Sequence, residues 1–299
     1  MRSATQGQLL AIAACALWGF AFVGPVMLAE VPPTVIAAGR YLAYGLTSAA
    51  ALALNGKLVQ PRQVWAQAFV LSLFGMLFYF VALSAALHRA GVVLPTLIIG
   101  MLPVTIPLAA CAVQRQRPSW LQGLGFALTL AGTWLARPAG NFGLGSEALA
   151  GAALATFSLL VWTAYALVNT RLLRQLRGIT AQDWSALQGV ACLPFVPPLM
   201  LMHTPATLVA IDWPKFLAIS IILGVICSWA ANSLWNAAST RLTAHQLGPL
   251  IVVEMLAGLV YGRIYTAEPW RAEVWIGAAL LVLGVVIAVR GEPQKLGME

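Results

Sequence analysis

The chain has 299 residues, 61% of them hydrophobic and 9% charged, with a mean hydropathy of +0.86. A soluble domain carries about 25% charged and 45–50% apolar residues, so a water-facing globule is excluded, as are disordered, collagen-like and disulfide-scaffold chains. The net charge of +8 does not point to nucleic acid, because the charges sit in short clusters between apolar runs of about 20 residues, the length with which a helix crosses ~30 Å of hydrocarbon.

In chain order, ten spans are predicted: Gln8–Ala29, Pro33–Leu54, Ala66–Leu87, Val92–Val113, Trp120–Ala136, Ala148–Asn169, Gln182–Met202, Pro214–Thr240, Ala244–Tyr261 and Ala272–Val289. The expected fold is an all-α integral membrane protein. The first run is too long for a signal-peptide core and lacks a cleavage site, so it is read as structural. Cys15, Cys111, Cys192 and Cys227 fall inside apolar runs with no CxxC spacing and are read as buried small hydrophobes. His88, His203 and His245 stand at span ends without partners at ligand spacing, so no metal site is expected.

With the N-terminus inside, eleven basic residues gather on one side, among them Arg2, Lys57, Arg62, Arg115, Arg171, Arg241 and Lys295. Five, namely Arg89, Arg137, Lys215, Arg263 and Arg271, fall on the other, which predicts cytoplasmic termini. Trp65, Trp120, Trp184, Trp213 and Trp270 lie at span ends, where an amphipathic indole favours the headgroup boundary.

The glycine-rich stretch from Arg137 to Gly145 divides the chain into two sets of five spans, residues 1–140 and 141–299, which resemble one another. Pro95-Thr-Leu-Ile-Ile-Gly-Met101-Leu in span 4 parallels Pro249-Leu-Ile-Val-Val-Glu-Met255-Leu in span 9. Gly125-Phe-Ala-Leu-Thr-Leu-Ala-Gly132 in span 5 parallels Gly277-Ala-Ala-Leu-Leu-Val-Leu-Gly284 in span 10, and Leu17-Trp18 more weakly parallels Val161-Trp162. An odd number of spans per half inverts the second half in the membrane. Inverted five-helix repeats are an architecture of secondary transporters, with the substrate site near the midplane between halves. Pro95 and Pro249, at equivalent positions, are hinge candidates, although each alone also reads as a static bend. The glycines spaced by seven in spans 5 and 10 are read as helix-packing positions.

Arg40 and Glu254 are the formal charges well inside spans, where an unpaired charge costs at least ~2.5 kcal/mol. Arg40 is close enough to the outer end of span 2 to snorkel; Glu254 lies near the middle of span 9 and is not. Glu254 is a candidate for binding a proton, a substrate ammonium or Arg40, and equally for a purely structural role among hydrogen bonds. The candidate substrate surface is aromatic and amidic: Trp18 and Phe22 in span 1, Tyr79 in span 3, Met101 in span 4, Trp162 and Tyr165 in span 6, and Trp229, Asn232 and Asn236 in span 8. Such stripes also arise from packing alone, but Trp and Tyr beside Asn suit a site that stacks a planar ring and hydrogen-bonds polar groups. Gln188 in span 7 stands where the repeat places Arg40, and it reads as an interhelical hydrogen-bonding residue.

The chain resembles the drug/metabolite transporter superfamily with its EamA-type repeat. The resemblance rests on Ala16-Leu-Trp-Gly-Phe in span 1, Pro33 with Arg40-Tyr41 in span 2, Met101-Leu-Pro103-Val104 in span 4 and Glu254 in span 9. Within that superfamily it is most similar to the YddG-type aromatic amino acid exporters of bacterial inner membranes. Met255 stands where the family has a proline after the glutamate, and Gln114-Arg115 replaces an acid often found after span 4. The resemblance implies a multi-pass inner-membrane carrier that exports aromatic or other neutral amino acids by alternating access. The alternative within transporters is efflux of drugs or other metabolites driven by protons through Glu254. The expected partners are small-molecule substrates, the lipid bilayer and, for that alternative, protons, with no nucleic acid. No HExxH, GxSxG or paired intramembrane aspartates argue for an enzyme, no GxxxxGK[ST] loop for ATP, no ring of charges for a channel, and no cofactor is implied.

Overall fold

A computed structural model of the chain describes residues 2–135, 145–176, 178–239, 241–242, 248–267 and 271–291. The glycine-rich divider, Arg137, Arg177, Thr240, Ala244, His245, Glu268, Trp270 and Lys295 lie outside them. The described residues are helical, without a β-strand.

Among the described residues, seven helices are long and apolar enough to cross a membrane: Thr5–Met27 (α1), Arg62–Ala90 (α3), Val93–Val113 (α4), Ser146–Leu173 (α6), Ala181–Leu201 (α7), Trp213–Ala238 (α8) and Ala272–Val289 (α10). Three other predicted spans are also helices but fall short by that measure. Pro33–Leu54 (α2) is 22 residues long but diluted by Arg40, two tyrosines, Thr47 and Ser48. Trp120–Leu135 (α5) has 16 residues and Val252–Thr266 (α9) has 15.

The termini of these elements follow local chemistry. Gly91, at φ +68°, reverses the chain between α3 and α4, a backbone region that glycine enters without steric cost. Thr180 and Asp183 form a reciprocal capping box at the start of α7, satisfying backbone N–H groups that a helix start leaves unpaired. A short helix, Pro205–Val209, precedes α8 and is capped by the Thr204 hydroxyl. The first residues of predicted span 9, 244–247, lie outside the described residues. A 3-10 turn, Gly248–Ile251, leads into α9, which continues through Arg263 until Ala267 turns left-handed at φ +52°.

Helices of the two halves pack directly on each other. Gly125 faces Gly284 and Gly132 faces Gly277, so α5 and α10 run antiparallel with backbones in close approach. Gly45 and Ser48 of α2 meet Leu193 and Gly189 of α7, again antiparallel. In α3 and α6, Gly75 lies against Tyr165 and Ser158 donates to the Tyr79 carbonyl at 3.1 Å. Gly24 of α1 lies against Leu223 of α8, and Gly7 of α1 against Leu242, beyond the end of α8. Gly100 of α4 meets Met255 of α9, so the matched Ile-Gly-Met-Leu and Val-Glu-Met-Leu segments touch.

Two helices change winding at like positions. Residues Leu73–Phe78 of α3 and Ile222–Ala230 of α8 are π-helical. A π segment shifts the hydrogen-bond register, re-aims side chains and leaves carbonyls open to other donors, which is why such segments cluster at functional sites.

Candidate functional site

Adjacent residues of α2 reach both π segments. Arg40 Nε donates to Ser228 Oγ at 3.0 Å, and Ser228 Oγ donates in turn to the Leu223 carbonyl, five residues back in the wide turn of α8, at 2.8 Å. The Tyr41 hydroxyl donates to the Met76 carbonyl in the wide turn of α3. The guanidinium carbon of Arg40 sits 4.1 Å from the centre of the Phe80 ring, a cation–π contact that partly replaces lost water. Arg40 therefore does not snorkel. Its side chain turns into the bundle and is 9% exposed, because Ser228 and Phe80 offer partners inside that the apolar lipid face lacks. Its Nη1 is buried and has no hydrogen-bond partner.

Beside Phe80 begins an aromatic row. Tyr79 of α3 and Trp162 of α6 have ring centres 4.6 Å apart, and Trp162 and Tyr165 follow at 4.9 Å. The Tyr165 hydroxyl donates to Gln188 Oε1 at 2.9 Å, and Gln188 Nε2 donates to Asn169 Oδ1 at 3.2 Å. Trp184 donates its indole N–H to the same Asn169 oxygen at 2.7 Å. Trp184 is thus 1% exposed inside the bundle and is not an interfacial indole, since Asn169 supplies the partner expected from the headgroups. Trp120 and Trp213, by contrast, are exposed.

The remaining candidates divide. Asn232 lies within hydrogen-bonding reach of Tyr44, whose hydroxyl donates to the Ser185 carbonyl at 2.5 Å. Trp229 is partly buried against the core. Asn236 is committed to α7, donating to the Ala181 carbonyl at 3.1 Å and Ser185 Oγ at 3.0 Å. Trp18 pairs with Trp235 of α8 at 5.3 Å, away from the Tyr79–Trp162–Tyr165 row. Phe22 is buried against Gly258 in the seam between α1 and α9. Met101 is buried and receives the Thr133 hydroxyl on its sulfur at 3.8 Å.

Glu254 lies in the first turn of α9, just after the 3-10 turn Gly248–Ile251 that leads into it. It keeps part of its surface accessible, and Arg40 acts on it electrostatically without an ion pair between them. Pro95 falls in the first turn of α4, where a proline removes no intrahelical bond. The interruption of α4 comes later, at Gly100–Met101, just before Pro103, whose missing N–H leaves the Ile99 carbonyl without its helical donor. Pro249 falls in the 3-10 turn before α9.

Sequence reasoning missed Phe80, Ser228, Trp235 and the interior place of Trp184. The signal was present for two of them: Ser228, Asn232, Trp235 and Asn236 fall at the i, i+4, i+7, i+8 spacing of one helical stripe.

The EamA-like transporter family model matches this chain twice, over residues 5–137 and 149–290. The protein named Inner membrane protein YtfF from Escherichia coli (strain K12) is 36% identical over 97% of either chain. Uncharacterized transporter YwfM from Bacillus subtilis (strain 168) is 24% identical over 96% of this chain and 95% of its own. A crystal structure of a chain 21% identical superposes with a TM-score of 0.66, covering 95% of this chain and 96% of that one, a likeness of fold alone.

Proposed function

Because the chain belongs to the EamA-like transporter family of the drug/metabolite transporter superfamily, we propose that it is a secondary transporter. It exports aromatic and other neutral amino acids, and similar small metabolites, across the bacterial inner membrane by alternating access. It does so as ten spans in two inverted five-helix repeats, residues 1–140 and 141–299, with both termini cytoplasmic. Support for the repeats comes from the two family matches, from the antiparallel pairing of α2 with α7 and of α5 with α10, and from the contact of Gly100 with Met255. Support for the inner membrane comes from the name of the Escherichia coli relative.

The observation that carries the substrate reading is the aromatic row Tyr79, Trp162 and Tyr165, beside a buried arginine and the side chains of Asn169 and Gln188. Stacked rings recognise a planar apolar group, and buried amides and charges recognise the polar end of the same molecule. Pro95 and Pro249 open the two equivalent helices, and Gly100–Met101 adds a second point of flexure in α4.

The test is flux of radiolabelled phenylalanine and tryptophan in proteoliposomes, with and without an imposed pH gradient. Saturable transport with counterflow is expected. Absence of flux under both conditions refutes the substrate reading. The second reading, proton-coupled efflux of drugs or other metabolites, draws on Glu254, an intramembrane carboxylate that is partly accessible and unpaired with Arg40. Acceleration by the gradient would support it.

A further inference from the structure

Among the described polar side chains that α2 and its counterpart α7 bring into this bundle, two keep a buried atom without a hydrogen-bond partner, Arg40 Nη1 and Ser48 Oγ, and of these two only Arg40 carries a charge. Gln188, which the repeat places opposite Arg40, is closed on both ends by Tyr165 and Asn169. Tyr41 and Tyr44 each donate to a carbonyl. Arg40 spends Nε on Ser228 and lays its face on Phe80, leaving Nη1 buried and empty-handed. A hydroxyl and a ring face do not neutralise a full charge in low dielectric, and a buried cation without a counter-ion is among the most costly arrangements a protein adopts. Glu254 acts on it only at a distance. The two copies of one position have thus diverged, into a saturated amide in one half and an unsaturated guanidinium in the other.

We propose that Arg40 is the carboxylate anchor of the transport site: Nη1 receives the carboxylate of the solute while the Tyr79–Trp162–Tyr165 row takes its ring. The inference rests on the transport reading and narrows it. The transported class consists of carboxylates, amino acids foremost, and excludes cationic aromatic amines and neutral aromatic drugs, which would leave Nη1 unpaired and, if cationic, meet a like charge. Ser228 and Phe80 position the guanidinium. Ser228 holds Nε, and the flat contact with Phe80 fixes the plane in which Nη1 points.

The experiment compares three solutes with one ring: phenylalanine, phenylalaninamide and phenethylamine. Each is offered to wild-type protein in proteoliposomes and, for binding, to the detergent-solubilised protein by thermal stabilisation. Phenylalanine is expected to be transported and to stabilise, with the other two at least tenfold weaker. In Arg40→Gln the KM for phenylalanine should rise roughly thirtyfold, the low end for deleting one partner of a buried charge pair. The preference over the amide should collapse with it, while Arg40→Lys restores part of both. Transport of all three solutes within twofold overturns the carboxylate role and leaves the transport reading standing. No transport and no stabilisation by any of the three overturns both. If Arg40→Gln does not fold, the comparison on wild-type protein still decides.

Discussion

The closest backbone approach between the two halves predicts a steep response to a single methyl group. A Cβ built on Gly125 lies 2.4 Å from the Gly284 carbonyl oxygen, and one built on Gly132 lies 2.4 Å from that of Gly277; ordinary contact begins at 3.4 Å. Gly125→Ala therefore forces α5 and α10 about 1 Å apart, since the nearest obstacles are the Gly284 carbonyl oxygen and the Ala288 Cβ, and neither can rotate away. A gap of that size forfeits a quarter to a half of each dispersion contact along the seam, and overpacking of this kind costs about 1–3 kcal/mol. Gly123→Ala is the control on the same helix: a Cβ there meets nothing within 4 Å, and alanine is the better helix former, so it should be neutral or slightly stabilising. Thermal unfolding in detergent, followed by survival of the monodisperse peak, should show Gly125→Ala lower in Tm by about 4–8 °C. The double variant Gly125→Ala, Gly284→Ala should be less harmful than the two single losses added, because one separation accommodates both methyls. If Gly125→Ala behaves like Gly123→Ala, α5 and α10 do not meet through these glycines and the seam is wrong.

Other consequences follow from the polar and aromatic groups. Gln188→Leu strands the Tyr165 hydroxyl and removes a donor from Asn169, which should cost about 1–3 kcal/mol; Tyr165→Phe should cost less, both read as shifts in Tm. Trp162→Ala removes the middle ring of the row, so KM for tryptophan and phenylalanine should rise about tenfold, with leucine affected less than threefold. Equal losses for leucine would mean that Trp162 only packs. Glu254→Gln should leave phenylalanine counterflow intact, because exchange requires no net coupling, while removing any acceleration by a pH gradient. A variant that keeps both its rate and its gradient response would exclude Glu254 from coupling.

Much of the architecture was legible because a bilayer constrains sequence more than water does. Each crossing needs an apolar run of fixed length, so helices at all ten predicted places followed from hydropathy alone, even though α2, α5 and α9 fall short of a span by length or apolarity. The paired glycines of spans 5 and 10 were readable as packing positions because only close backbone approach explains small residues at a spacing of seven on both helices. The four cysteines, set in apolar runs, are indeed buried and free.

What the tertiary structure decided is which way each polar side chain turns, since that depends on partners contributed by distant segments. Arg40 stands close enough to a span end to reach outward or to serve inside; it turns inward, because Ser228, 188 residues away in sequence, and Phe80 wait there. Trp184 sits at a span end, yet Asn169 draws it inside. Trp18, Trp229 and Trp162 are alike as deep tryptophans in the sequence, but only Trp162 stands between two other rings of the row. The wide turns of α3 and α8 have no specific sequence signature: each contains one glycine, Gly75 and Gly224, which weakens a helix without prescribing a π turn, and the other residues are common in ordinary membrane helices. Composition and period are local quantities and survive in a single chain read from end to end, whereas the neighbour that satisfies a buried donor is supplied only when distant helices pack.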